Sequence, residues 1–261
     1  GPQMDQMPVL VYDGPFSDHL EKRIPAMGGP PITAEEAQRL ALTYLPEGVS
    51  ATVVQVDQRE GIPPVYAVRL SPGQGQPAIT VDVTREGGHL VSYVNARPAG
   101  EAQFTLEQAR EIGLAYLAAH GYPAMAPTYG EVVDGFATVQ FVAAPNGVLV
   151  YPDQVKVRVA LDRGEVVGVD AYGYVMSHRE RGGLAPVVTQ EQAAAVLNPE
   201  LAVEEARLAL IPTEAGDGEV LAWEFRGKLG EETYLVYVNA QTGLEERILQ
   251  MIITPSGTLA L

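Results

Sequence analysis

ITAEEAQRLALTYL at residues 32–45 and FTLEQAREIGLAYL at residues 104–117 spell one helix twice. Thr33 and Thr105 lie 72 positions apart (105 − 33), and a shorter copy, VTQEQAAAVL at residues 188–197, puts Thr189 a further 84 positions on (189 − 105). Each copy opens with a capping box. The threonine hydroxyl accepts from an orphan amide of the first turn, while Glu36, Gln108 or Gln192, three residues on, reaches back to the threonine amide. Ile32, Phe104 and Val188 precede the caps as hydrophobic staples. Behind the caps, Ala37, Leu40, Ala41 and Tyr44 recur as Ala109, Ile112, Gly113 and Tyr116, and in part as Ala193, Val196 and Leu197. That spacing gives each helix one apolar face, with both tyrosines read as core.

Alternating runs follow each helix: ATVVQVDQ, PVYAVRL, AITVDVT and HLVSYVNA; then EVVDG, ATVQFVA, VKVRVAL and EVVGVDAY; then ARLALI, LAWEFRG, TYLVYVNA and LEERILQMII. Period-two patterning predicts strands, and turn residues before the last strand of each set (Arg85 to Gly88, Asp162 to Gly164, Asn239 to Gly243) predict antiparallel meanders. The expected fold is α+β: three tandem units at 32–97, 104–174 and 187–253, each a helix over an antiparallel meander, behind an N-terminal segment at 1–31. The joints fall at RPAGEAQ (97–103) and SHRERGGLAP (177–186). The third helix should be short, because Asn198-Pro199 ends it. Trp223, in the alternating LAWEF, reads as core of the third unit.

The balance of 33 acidic to 17 basic residues gives a formal charge of −16. Such a surface repels phosphate backbones, so no nucleic-acid partner is expected. Cysteine is absent, which removes disulfides, thiolate metal sites and thiol nucleophiles. The histidines, His19, His89, His120 and His178, are spaced by 70, 31 and 58 positions and form no ligand motif. No GxSxG elbow or phosphate-cradling glycine loop is present. Neither catalytic residues, cofactors nor metals are therefore expected. Apolar runs such as VLVY and ILQMII are strand-sized, too short for a membrane span. Gly1-Pro2 reads as the scar of a cleaved tag, so a natural anchor or signal would precede it.

A capped helix followed by a meander with Asp or Asn before the turn and Gly after it (Asp82 to Gly87, Asp162 to Gly164, Asn239 to Gly243) resembles the PepSY domain. Three in tandem, preceded by MPVLVYDGPFSDHL at residues 7–20, resemble the C-terminal region of the YpeB family of spore germination proteins. The resemblance implies a membrane-anchored protein outside the inner spore membrane, facing the cortex, that depends mutually on a cortex-lytic hydrolase of the SleB type and regulates it, by inhibiting or by stabilising it. It brings no catalytic residues. The alternative from another class is an extracytoplasmic sensor or carrier, binding a small ligand or peptidoglycan fragment between units. Its mark would be a concave pocket with converging polar groups.

Partner docking is expected at sheet edges or in grooves between units. The unrepeated insertion APNGVLVYP (144–152) offers Val148, Leu149 and Tyr151 as contacts, or packs as a core hairpin. Tyr12 and Phe16 either pin the lead-in to the first unit or meet the partner.

Overall fold

The structure, a computed structural model, describes residues 9–10, 16, 24–251 and 257–258. It is α+β, with few helices on one large mixed sheet. The helices are α1 (Ala34–Thr43), α2 (Leu106–Ala119), α3 (Tyr172–Ser177) and α4 (Gln190–Ala194). The strands are β1 (Val9–Leu10), β2 (Thr52–Arg59), β3 (Val65–Ser71), β4 (Ile79–Thr84), β5 (Leu90–Asn95), β6 (Met125–Val133), β7 (Phe136–Ala143), β8 (Leu149–Ala160), β9 (Glu165–Asp170), β10 (Ala202–Pro212), β11 (Glu219–Leu229), β12 (Glu232–Asn239), β13 (Glu245–Met251) and β14 (Gly257–Thr258).

All three capping boxes form. The threonine amides donate to Glu36, Gln108 and Gln192 at 2.9 Å each, and the returning bonds to the threonine hydroxyls span 3.1–3.2 Å. Ala37, Ala41, Ala109 and Gly113 are buried against the sheet, as the helical spacing requires. Gly113 is small for a reason: a Cβ there would meet the Phe141 ring at 3.0 Å. α4 is only five residues long, and Val196, expected on its apolar face, is 49% exposed because the helix ends before that position.

Three antiparallel meanders follow: β2 to β5, β6 to β9, and β10 to β13. They are not separate sheets. β5 pairs antiparallel with β9 through Ser92↔Asp170, Tyr93↔Val169 and Val94↔Gly168. The start of β8 pairs parallel with β10 through Leu149↔Ala209 and Val150↔Leu210. The three meanders expected from the sequence therefore share one sheet: hydrogen-bonded strands cross both joints, because β5 and β10 are edge strands that find partners in the middle meander. The main path of the sheet ends at β2 on one side and at β1, parallel to β13, on the other.

The first joint is clamped rather than loose. Arg97 donates to both carboxylate oxygens of Asp162 (2.9 and 3.0 Å) and to Glu165 (2.9 Å), while the Gly100 amide adds a 2.8 Å bond to Asp162. The Arg97 guanidinium, helped by the Gly100 and Arg163 amides against the cost of burial, holds the Asp162 carboxyl well below the usual carboxylate range. A depressed folded value stabilises the fold above the unfolded value near pH ~4, and the gain fades as pH falls toward the folded one. Asp162→Asn should lower the melting temperature at pH 7, with the gap to wild type narrowing below about pH 4 in thermal melts.

The staples fix the turns of the meanders to the helices. Gly88, Gly164 and Gly243 have φ of 66°, 66° and 76° and sit in equivalent turns. A Cβ at Gly88 would come within 2.7 Å of Leu40, and one at Gly164 within 3.0 Å of Phe104 and Ile112. At Gly243 the nearest atom, on Val188, is 3.8 Å away. Left-handed backbone costs a non-glycine residue about 1–2 kcal/mol. Gly243→Ala should lose about that much in denaturant unfolding, whereas Gly88→Ala and Gly164→Ala, which also clash, should lose more.

Candidate functional site

One cleft of about 940 Å³ is assembled from all parts of the chain's middle. Tyr44 comes from the end of α1, and Gly88 to Leu90 from the turn before β5. His120 to Ala124 follow α2, Val150 and Asp153 lie on β8, and Tyr174 and Val175 on α3. The far wall is residues 178–185. The second predicted joint is thus a wall of the cleft.

α3 was not legible in the sequence, because six residues are too few to show a helical period. Its residues Gly173 to Ser177 are all buried. Asp170 accepts from the Tyr172 amide at 3.1 Å to start the turn. Two orphan carbonyls near its end, Val175 and Met176, accept from the Met27 and Ala26 amides at 3.0 and 3.3 Å. That anchors the lead-in at the floor of the cleft.

The three lining histidines are held in one manner. His120 Nδ1 lies 2.7 Å from the Tyr116 carbonyl oxygen, His178 Nδ1 2.7 Å from Asp153, and His89 Nε2 2.8 Å from the Gly28 carbonyl oxygen. A carbonyl or carboxylate oxygen only accepts, so each bonded nitrogen carries a proton, and in the neutral imidazole the other nitrogen is an acceptor. Those other nitrogens have no partner among the described residues. Tyrosines stack on two of the imidazoles, Tyr116 on His120 at 3.9 Å and Tyr174 on His178 at 4.3 Å between ring centres. Tyr116 is core, as expected, and its hydroxyl donates to the Tyr44 carbonyl at 2.6 Å. Tyr44 itself is only partly buried and faces the cleft.

Asp153, 1% exposed, anchors the wall. It accepts from His178 and, in a fork, from Arg181 Nη1 and Nη2 at 2.8 and 3.0 Å. Arg181 also donates to Glu219 and to the Ser177 carbonyl, so its guanidinium is fully engaged. The Asp153–His178 pair has the form of an orienting acid and a base. No hydroxyl among the described residues bonds to its free nitrogen, and Ser177, next in sequence, is fully buried. Among the described residues no cluster of His, Asp or Glu is arranged to hold a metal ion.

The insertion residues lie in the interior. Val148, Leu149 and Tyr151 are 5%, 3% and 1% exposed. The hairpin packs as core because Leu149 and Val150 supply the parallel rung to β10, and Tyr151 hydrogen-bonds the buried Glu224, which Tyr237 (2.6 Å) and Arg207 (2.7 Å) also bind. As surface contacts these three residues are corrected: they are almost wholly buried. Phe16 is buried against Tyr151 and Tyr237, with ring centres 5.1 and 5.3 Å apart. It therefore pins the lead-in to the middle and third meanders rather than to the first. Tyr12 and His19 lie outside the described residues. Trp223 is half-buried, and its Nε1 donates to the Val188 carbonyl at 2.8 Å, fastening the start of α4.

A capped-helix α+β fold on a shared sheet, with a cleft between its repeats, is the class that the geometry defines. The model of the family described as YpeB sporulation, PepSY1 and PepSY2 domains matches residues 1–183, which covers the first two capped helices and stops before the third. The chain belongs to the YpeB family. It is 33% identical over 244 residues to the sporulation protein YpeB of Halalkalibacterium halodurans, covering 94% of this chain and 54% of that protein. The Bacillus subtilis sporulation protein YpeB is 31% identical over 230 residues, 87% of this chain and 51% of its own. The chain thus spans about half the length of these curated relatives. The solved Bacillus megaterium YpeB C-terminal domain superposes with a TM-score of 0.76 at 26% identity, covering 86% of this chain and all of that one. The relatives bear the name of a sporulation protein, not of an enzyme.

In the sequence the histidines stand singly, since spacings of tens of residues carry no motif, and nothing there pairs Asp153 with Arg181, 28 positions on. The signal available was weak: His120 follows the C-terminus of a repeated helix, and His178 opens a predicted joint. If Asp153 fastens the wall, Asp153→Ala should destabilise the fold by about 3–5 kcal/mol, since it strips the buried Arg181 of one partner. Hydrogen exchange should quicken first in residues 178–185.

Proposed function

We propose that this chain is a noncatalytic regulator in sporulation and germination, restraining a spore cortex-lytic hydrolase of the SleB type. In the whole protein it would stand on the cortex-facing side of the inner spore membrane, held by an anchor outside this chain. Among the described residues no helix is long and apolar enough to cross a membrane. The three capped helices with their meanders, 32–97, 104–174 and 187–253, are read as three PepSY-like units of one binding array. Family membership supports the sporulation role.

The observation that carries the docking mode is β2, whose outer side meets no strand among the described residues. A bulge exposes Val54 (61%), and Gln55 to Arg59 continue as the edge with no proline among them, Asp57 and Arg59 being its charged residues. A strand of the hydrolase could extend the sheet there through backbone hydrogen bonds. Val54→Lys with Gln58→Lys, both at exposed positions, should weaken binding to the cortex-lytic enzyme at least tenfold and restore lysis of cortex fragments. Unchanged affinity by calorimetry would remove the edge as the docking site, and full lysis with no binding by the wild-type chain at tens of micromolar would remove direct restraint altogether.

A further inference from the structure

The cleft has a chemistry that docking at β2 does not use. Its lining charges cancel, Asp153 and Glu180 against Arg179 and Arg181. Arg181 is saturated by Asp153, Glu219 and a carbonyl, and Arg179 is half-exposed and paired with Glu219 at 3.0 Å. No free guanidinium is left to hold an anion.

What remains is a set of acceptors and hydroxyls beside ring faces. His89, His120 and His178 each spend one N–H on the protein, and in the neutral form each keeps one lone-pair nitrogen. The hydroxyls of Tyr44, Tyr122 and Tyr174 bond to no described residue, and all three tyrosines line the cleft. Tyr122 and Tyr174 meet edge to face at 5.0 Å, giving a rigid apolar wall with polar tips. The tyrosines and imidazoles hold one another in place, so little is ordered on binding.

We infer that this cleft binds a hydroxyl-rich saccharide chain. A pyranose ring has an apolar C–H face that packs on aromatic surface, and it is rimmed by O–H and, when N-acetylated, N–H donors. Those donors match the imidazole acceptors, and the sugar's oxygens match the tyrosine hydroxyls. An uncharged ligand suits the balanced lining. A volume of about 940 Å³ lies near the top of the ~300–1,000 Å³ range of small-ligand clefts, room for more than one ring. The inference stands whether or not a protein partner uses the edge of β2.

The test titrates the full chain with the β-1,4-linked tetramer of N-acetylglucosamine, with sodium phosphate and an unrelated tetrapeptide in parallel, by calorimetry and by amide NMR. Saturable binding of the tetrasaccharide alone is expected, with shifts in residues 120–124 and 174–185. His120→Phe with His178→Phe keeps aromatic rings in the stacks and removes two acceptors, so the affinity should fall at least tenfold. Leu184→Trp, on the partly buried far wall, should block the cleft without touching those hydrogen bonds, and it serves as the independent variant should the double one unfold. No binding at 10 mM tetrasaccharide overturns the inference, as does preference for phosphate or peptide, or binding that Leu184→Trp leaves unchanged while circular dichroism shows the fold intact.

Discussion

Strand β9 holds two neighbours at once, and the rest of the molecule depends on that. It completes its own meander against β8 and, on its other side, receives β5 of the meander before it. A strand in an antiparallel sheet has backbone groups for two partners, and leaving one side unpaired beneath packed helices would strand polar groups in an apolar core. The pairing is short, three residue pairs, and Arg97 reinforces it by binding Asp162 and Glu165 at the turn and start of β9. Repeats that could have been independent are thereby locked into one sheet.

The cleft follows from that lock. β9 runs into α3, whose carbonyls the lead-in caps, and α3 delivers His178 and the wall beyond it. With β5 on β9, the turn bearing His89 and the end of α1 are brought to the same side as the end of α2. Burial then imposes order on the polar groups: Asp153 would carry a large desolvation cost alone and is stable only with Arg181 and His178 bound to it. Buried charge thus serves to fix a loop, which is how the cleft wall beyond α3 keeps its shape.

A second buried carboxylate does comparable work on the opposite face of the sheet. Glu224 is held by Arg207, Tyr151 and Tyr237, and Phe16 packs on the two tyrosines. Burial and the neighbouring Glu224 charge push both phenols well above their ordinary range, so they remain neutral donors. This cluster joins the insertion, the third meander and the lead-in, and it explains why apolar residues with no counterpart in the first repeat are interior.

The sequence by itself determined the local structure: the capping boxes, the apolar faces of α1 and α2, the turn glycines and most strands, because each is set by contacts within a few residues. It also determined the family, through motifs carried by those same turns and by the lead-in. Tertiary structure alone decided that the sheet is continuous, that Val148, Leu149 and Tyr151 are core, and that three scattered histidines share a cleft. The physical reason is common to all three. Strand pairing between β5 and β9 or β8 and β10, and the meeting of Asp153 with Arg181, join residues far apart in the chain, and neither period nor spacing records which edge a strand will find.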